Sequence, residues 1–204
     1  MTTQREKRAA RRVMEFEGLS LRLSDAYTDA IDIVNRVGRT QSHDYLLDSS
    51  AVRRVALHEA EWATYRYASL LHALDELVKD TSLVRVSSNE FVKSTASGLI
   101  AIRNCIHHNG PVGANYDKSG SEVVVELSTL ERRGDWDAAG VAPFSAYFPS
   151  YRRNGPPQFI ELGRTIEESE EAYTTLVTTV VSKIESKIGE ERLKRAAASV
   201  TLYS

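Results

Sequence analysis

Along four stretches of the chain, apolar residues recur at steps of three and four with polar positions between them, the period of amphipathic helices. In the first, Phe16, Leu19, Leu23, Tyr27, Ala30, Ile31, Val34 and Val37 share one face of a helix expected over 5–37. A second is expected to start among Asp48, Ser49 and Ser50, which are good N-cap residues. It continues through Val52, Val55, Ala56, Trp62, Tyr67, Leu70, Leu74, Leu77 and Val78. The third carries the capping-box pattern Ser87-Ser88-Asn89-Glu90 and is stopped by Gly110-Pro111. The fourth is expected to open on another such pattern, Thr165-Ile166-Glu167-Glu168. It aligns Tyr173, Leu176, Val177, Val180, Ile184 and Ile188 before Gly189 breaks or kinks it.

The joints at 38–48 and 80–87 are short, so the expected fold is all-α, an up-and-down four-helix bundle. All five prolines and seven of the eleven glycines lie between residues 109 and 163. One domain over 1–204 is therefore expected, with the bundle at about 5–108 and 165–199 and a Gly/Pro-rich insertion at about 109–163. Within the insertion, Glu122–Leu127 has strand composition and Gln158–Leu162 is its expected mate, giving a small β-hairpin that caps one end of the bundle.

Composition narrows the function only by exclusion. With 204 residues, 42% hydrophobic and 26% charged, the chain can bury a core without metal or disulfide staples. The formal net charge is −2, so any grip on a polyanion has to come from a local patch. One such run is Arg5, Lys7, Arg8, Arg11 and Arg12; it reads either as a solvated helix start or as an arm that contacts phosphates. Cys105 is the one cysteine, which excludes an intrachain disulfide and fits the reducing cytoplasm. No apolar run has membrane-spanning length, and residues 1–16 lack the apolar stretch of a secretory signal.

A helical metal site needs ligands on one face, as in HExxH or ExxH. Thr40, Val55, Ser69, Asn104 and Cys105 stand three residues before the five histidines, and none is a carboxylate. No metal or other cofactor is expected. His58 reads as a helix-surface histidine and Cys105 as a small buried residue.

The segment Arg103-Asn104-Cys105-Ile106-His107-His108-Asn109-Gly110 differs in kind. At 3.6 residues per turn, Leu99, Ile102 and Ile106 define a core side. Arg103, Asn104, His107 and His108 then spread over the opposite side, with Ala96, Ser97 and Ile100 upstream. Two readings fit: a polar helix end that complements the dipole, or Arg and His converging on one anion. Asn104, four residues before His108, is expected to orient that histidine and make it the proton carrier, so His107 is expected to matter less.

Arg103-Asn104-x-x-x-His108 at the end of a bundle helix, followed by Asn109-Gly110, resembles the signature of HEPN domains. The resemblance covers about 10–108 and 165–190. It implies an all-helical, usually dimeric fold and, for many members, metal-independent ribonuclease activity in toxin–antitoxin, antiphage and CRISPR systems. Arg103 and His108 match the catalytic Arg and His of that signature, and Asn104 the polar residue between them. His107 is an addition of this sequence. The tyrosine found two positions after the histidine in HEPN partners of nucleotidyltransferase antitoxins is replaced here by Gly110.

Histidine exchanges protons at neutral pH, and arginine can hold a pentacoordinate phosphate through paired bonds. The resemblance thus implies an endoribonuclease cutting by 2′-OH attack, with RNA as substrate, a homodimer joined through Ala96, Ser97 and Ile100, and an antitoxin or activating protein as a further partner. Tyr151, Arg152 and Arg153 are candidate RNA contacts in the insertion, which holds seven of the sixteen aromatics. Packing of a cap onto the bundle accounts for those aromatics as well. The alternative function is a non-catalytic HEPN-like RNA-binding or dimeric interaction module.

Overall fold

The computed structural model describes residues 2–43, 50–82, 95–133 and 159–201, with the side chains of 40–43, 50, 95–97, 131–133 and 201 left aside. Most of these residues are helical: α1 (Gln4–His43), α2 (Ser50–Asp80), α3 (Thr95–Asn109), α4 (Leu127–Arg133), α5 (Leu162–Ile188) and α6 (Glu190–Thr201). Three short strands, β1 (Asn115–Tyr116), β2 (Val123–Glu126) and β3 (Phe159–Glu161), form one antiparallel sheet in the order β1-β2-β3.

The long helices contact one another in a circuit: α1 packs on α2 and α5, and α3 packs on the same two. Side-chain pairs give their directions. Arg12 meets Asp80 and Arg36 meets Glu59, so α1 and α2 are antiparallel. Ser69 meets Arg103 and Tyr65 meets His107, so α2 and α3 are antiparallel too. Tyr67 of α2 is fully buried, and its hydroxyl bonds Ser169 Oγ of α5 at 2.8 Å. Tyr27 and Tyr173 meet its ring edge-on at 6.1 and 6.5 Å. Burial pushes the Tyr67 phenol well above its usual range.

Helix ends follow local chemistry in three places. Thr3 and Glu6 form a reciprocal capping box, with Thr3 N–H on Glu6 Oε2 at 2.7 Å and Glu6 N–H on Thr3 Oγ1 at 3.2 Å. Gly110 closes α3 with φ +78°, its N–H bonding Ile106 O at 2.9 Å. At Gly189 (φ +93°) the chain breaks between α5 and α6, as its sequence implied.

Elsewhere tertiary contacts override the local signals. Thr165 is no cap: α5 starts at Leu162, directly after β3, because Ile160 and Leu162 are both buried. Thr165 Oγ1 instead donates to Glu161 O one turn back, and Glu168 pairs with Arg164. The first helix passes Gly38 and reaches His43 rather than ending near 37. A Cβ at Gly38 would overlap the Ser121 carbonyl, so this glycine is spent on close approach of the β1–β2 turn and not on a stop. In that turn Asp117 accepts the N–H groups of Ser119, Ser121 and Glu122. Together with the Ser119 hydroxyl, these bonds pull its carboxyl down to about 2.

The expected hairpin strands pair, Val124 with Glu161 and Glu126 with Phe159, and β1 adds a third strand that the pattern did not announce. Leu127 leaves the strand and opens α4. The second-helix residues Val52, Val55 and Trp62 face solvent, whereas Ala60, Ala63, Tyr67, Leu71 and Leu74 form its buried line. The capping box at Ser87–Glu90 lies outside the described residues.

Two glycines in α1 test these contacts with opposite signs. A Cβ at Gly18 would meet nothing within 4 Å, so Gly18→Ala should stabilise the fold by about 0.5–1 kcal/mol. Gly38→Ala should destabilise it by about 1–3 kcal/mol, because backbone has to move. Urea unfolding of the two variants measures both; equal effects would refute the contact at Ser121.

Candidate functional site

The helix α3 packs against both α2 and α5, so it is covered on two sides. Leu99 and Ile102 are buried as their spacing implies, and Ala101 and Cys105 are buried with them. Ile106, read as a core residue, is only half-buried, because the second neighbour turns the buried face toward Cys105. Arg103 and Asn104 are half-buried, while His107 and His108 are exposed.

The four motif residues do come together, and α2 completes the group. Arg103 Nη1 donates to Asn104 Oδ1 at 2.8 Å and its Nε to Ser69 Oγ at 3.4 Å. Its guanidinium carbon lies 5.9 Å from the Tyr65 ring centre. The Tyr65 hydroxyl shares a hydrogen bond with His107 Nδ1 at 3.1 Å, and the two rings lie nearly parallel, 6.5 Å apart. His108 meets His107 edge-on at 5.0 Å. Trp62 stacks on Tyr65, with ring centres 5.0 Å apart and planes at 12°.

This geometry differs from the spacing argument for His108. The Asn104 amide oxygen faces Arg103, and among the described residues no hydrogen bond reaches His108. Tyr65, a residue that α3's own pattern could not reveal, orients His107 instead. A signal for it existed in α2: His58, Trp62, Tyr65 and Ser69 recur at steps of four, three and four, a polar and aromatic stripe beside the apolar one.

The end of α3 is held by Glu61, which is 5% exposed and accepts the Ala114 N–H from the segment that follows the helix. Its other oxygen lies 3.9 Å from His58 Nδ1 on the helix surface. The carboxylate thus fixes the chain reversal that leaves His107 and His108 on an open rim.

Other expected site residues stand apart. Ile100 is half-buried against the core, and the side chains of Ala96 and Ser97 lie outside the described residues, as do Tyr151, Arg152 and Arg153. Of the basic N-terminal run, Arg12 pairs with Glu15 and Asp80. Lys7, Arg8, Arg11 and Arg12 line a cleft of about 870 Å³ between α1 and α6.

One grouping of potential metal ligands occurs among the described residues: His72, Asp75 and Glu76 of α2 offer atoms within 4.8 Å of one another. Its acids follow the histidine, the reverse of the order in ExxH, so that spacing does not reveal it. His72 Nδ1 is buried without a hydrogen-bond partner. Lys79 Nζ already sits on both carboxylates, at 2.6 Å from Asp75 and 3.0 Å from Glu76, and supplies the cation there. No described helix is long and apolar enough to cross a membrane.

The Glu61 contact yields a direct test. Glu61→Ala strands the Ala114 N–H, which should cost about 1–3 kcal/mol. Amide exchange at Ala114 should accelerate by the corresponding factor; unchanged protection would show that the carboxylate does not hold this segment.

No protein-family model, curated protein or solved structure matches this chain.

Proposed function

We propose that this protein is a metal-independent endoribonuclease of HEPN-like type, with Arg103, Asn104, His107 and His108 as its reacting group. The observation that carries the proposal is the exposed pair His107–His108, rings 5.0 Å apart, beside the Arg103 guanidinium at the end of α3. Two imidazoles and an arginine at one rim supply what transesterification of RNA requires: a base, an acid and a fixed positive charge.

The step balances without an added reactant. One histidine removes the 2′-OH proton as that oxygen bonds phosphorus. The P–O5′ bond breaks, and the second histidine, protonated, delivers its proton to O5′. A 2′,3′-cyclic phosphate and a 5′-OH end result. Arg103 neutralises the charge that grows on the phosphoryl oxygens. His107 is assigned the base role, since Tyr65 holds its Nδ1 and leaves Nε2 for the substrate. Asn104 holds Arg103 through its amide oxygen.

A second reading, a non-catalytic HEPN-like RNA-binding or dimeric interaction module, is favoured by one specific feature. Arg103 spends Nη1 and Nε on Asn104 and Ser69, so part of its hydrogen-bonding capacity serves the fold. Under the nuclease reading, a second copy of the chain completes the site across a two-fold axis, joined through α3 at Ala96, Ser97 and Ile100. A toxin or antiphage role, with an antitoxin or activator as partner, follows from the same resemblance.

Two measurements decide between them. A 5′-labelled single-stranded RNA should be cut in EDTA to ends carrying cyclic phosphate, and DNA of the same sequence should be spared. Arg103→Ala, His107→Ala and His108→Ala should each slow cutting by about 10²-fold or more. Folded protein that binds RNA but never cuts it leaves the binding module, and cutting that needs a divalent ion sinks the mechanism. Light scattering should give the mass of two chains, and Ile100→Arg should reduce it to one; a wild-type mass of one chain rules out the shared site.

A further inference from the structure

The α2 stripe next to the motif holds a large aromatic ring that the chemistry above does not use. Trp62 is 53% exposed, although its helix buries Ala60, Ala63 and Tyr67 on the opposite side. Trp62 therefore adds little to the core, yet it is not loose. Its indole lies on Tyr65 at 5.0 Å and 12°, and Tyr65 reaches His107 edge to edge through its hydroxyl, the two planes 9° apart with centres 6.5 Å apart. Three rings thus form a near-parallel series whose outer member is open and whose inner member is a reacting histidine.

Two cations stand along the series. Arg103 lies beside Tyr65, its middle ring. Arg66, one helical turn after Trp62, is exposed and has no ion pair among the described residues. Flat apolar faces spaced with positive charges are complementary to a single strand, in which unpaired bases alternate with phosphates. A double helix offers no match, because its bases already stack on one another.

We infer that Trp62 is a stacking platform for an unpaired base of the RNA strand, with Arg66 on the adjoining phosphate, and that single-stranded RNA is the substrate class. This rests on the RNA reading above and adds to it a subsite outside the reacting group. Trp62, stacked on the Tyr65 that holds His107, extends this group onto the substrate and sets how far along the strand the cut falls. Protein or self-association surfaces also cover indoles, but this series passes an arginine and ends at two histidines rather than at further apolar surface.

Binding is separated from cutting by using a 2′-O-methyl oligonucleotide, which lacks the attacking hydroxyl. A labelled 12-mer of this kind is titrated into full-length protein and followed by anisotropy. In a Trp136→Phe background, where Trp62 is the single indole left of the two in the sequence, its fluorescence is read in parallel. The expected result is saturable quenching, with Trp62→Ala weakening the anisotropy-derived affinity by roughly 5- to 100-fold. Trp62→Phe should retain most of it, Arg66→Ala should lower it and flatten its salt dependence, and the duplex form should not quench.

The platform stands even if no RNA is ever cut, provided quenching and the Trp62→Ala loss are seen; the nuclease reading alone then falls. It is overturned if the single strand binds without quenching and Trp62→Ala binds as tightly, or if no strand binds at all. It is equally overturned if Trp62→Ala converts a two-chain mass to one chain, since a second copy would then be what covers the indole. Circular dichroism confirms that each variant is folded.

Discussion

A phenol with no solvent exposure has to keep a hydrogen bond, and in this protein the bond from Tyr67 to Ser169 sets the rotation of α2 against its neighbours. Tyr27 and Tyr173 close on the same ring from α1 and α5, so three helices share one fixed point. Two residues along a helix is a turn of about 200°. With Tyr67 pinned inward, Tyr65 has to face away, and α3 is the element packed there. The hydrogen bond between Tyr65 and His107 is thus a consequence of a core contact on the other side of α2.

The same logic ties the rim to the sheet. Glu61 is buried one turn before Tyr65 and holds the Ala114 N–H, which leads straight into β1. Gly38 admits the β1–β2 turn against α1, and β3 runs without a gap into α5. The sheet therefore joins the end of α3 to the start of α5 and stops the rim from fraying. Each of these contacts is small, and their effect is positional: they decide where two exposed histidines stand relative to one arginine.

An exposed rim suits the proposed chemistry in one respect and constrains it in another. Open imidazoles can exchange protons with substrate and water. However, one α3 offers few groups to surround a phosphate, and Arg103 is partly occupied by Asn104 and Ser69. Under the proposed function, a second copy, or the strand itself laid on the ring series from Trp62, would supply the enclosure that a single chain lacks. Both routes place the decisive contacts on the α2–α3 face.

Periodicity and local chemistry made the apolar line of α1, the break at Gly189 and the stop at Gly110 legible, because each depends on backbone and neighbouring residues alone, whereas α4 went unannounced. The strand character of Val123–Val125 was legible for the same reason. Thr165 misled because burial of Ile160 and Leu162 starts α5 a turn earlier than its local cap chemistry would. The first helix runs past the expected end near 37, and Gly38 serves close approach of the β1–β2 turn, a contact that no local pattern announces. In the candidate site, Arg103, Asn104, His107 and His108 could be picked out, since helix spacing gathers them on one element. Which histidine is held, and by what, was decided only in three dimensions. Tyr65 and Trp62 lie about forty residues away in the chain, and only the packing of α2 on α3 brings their rings to the motif.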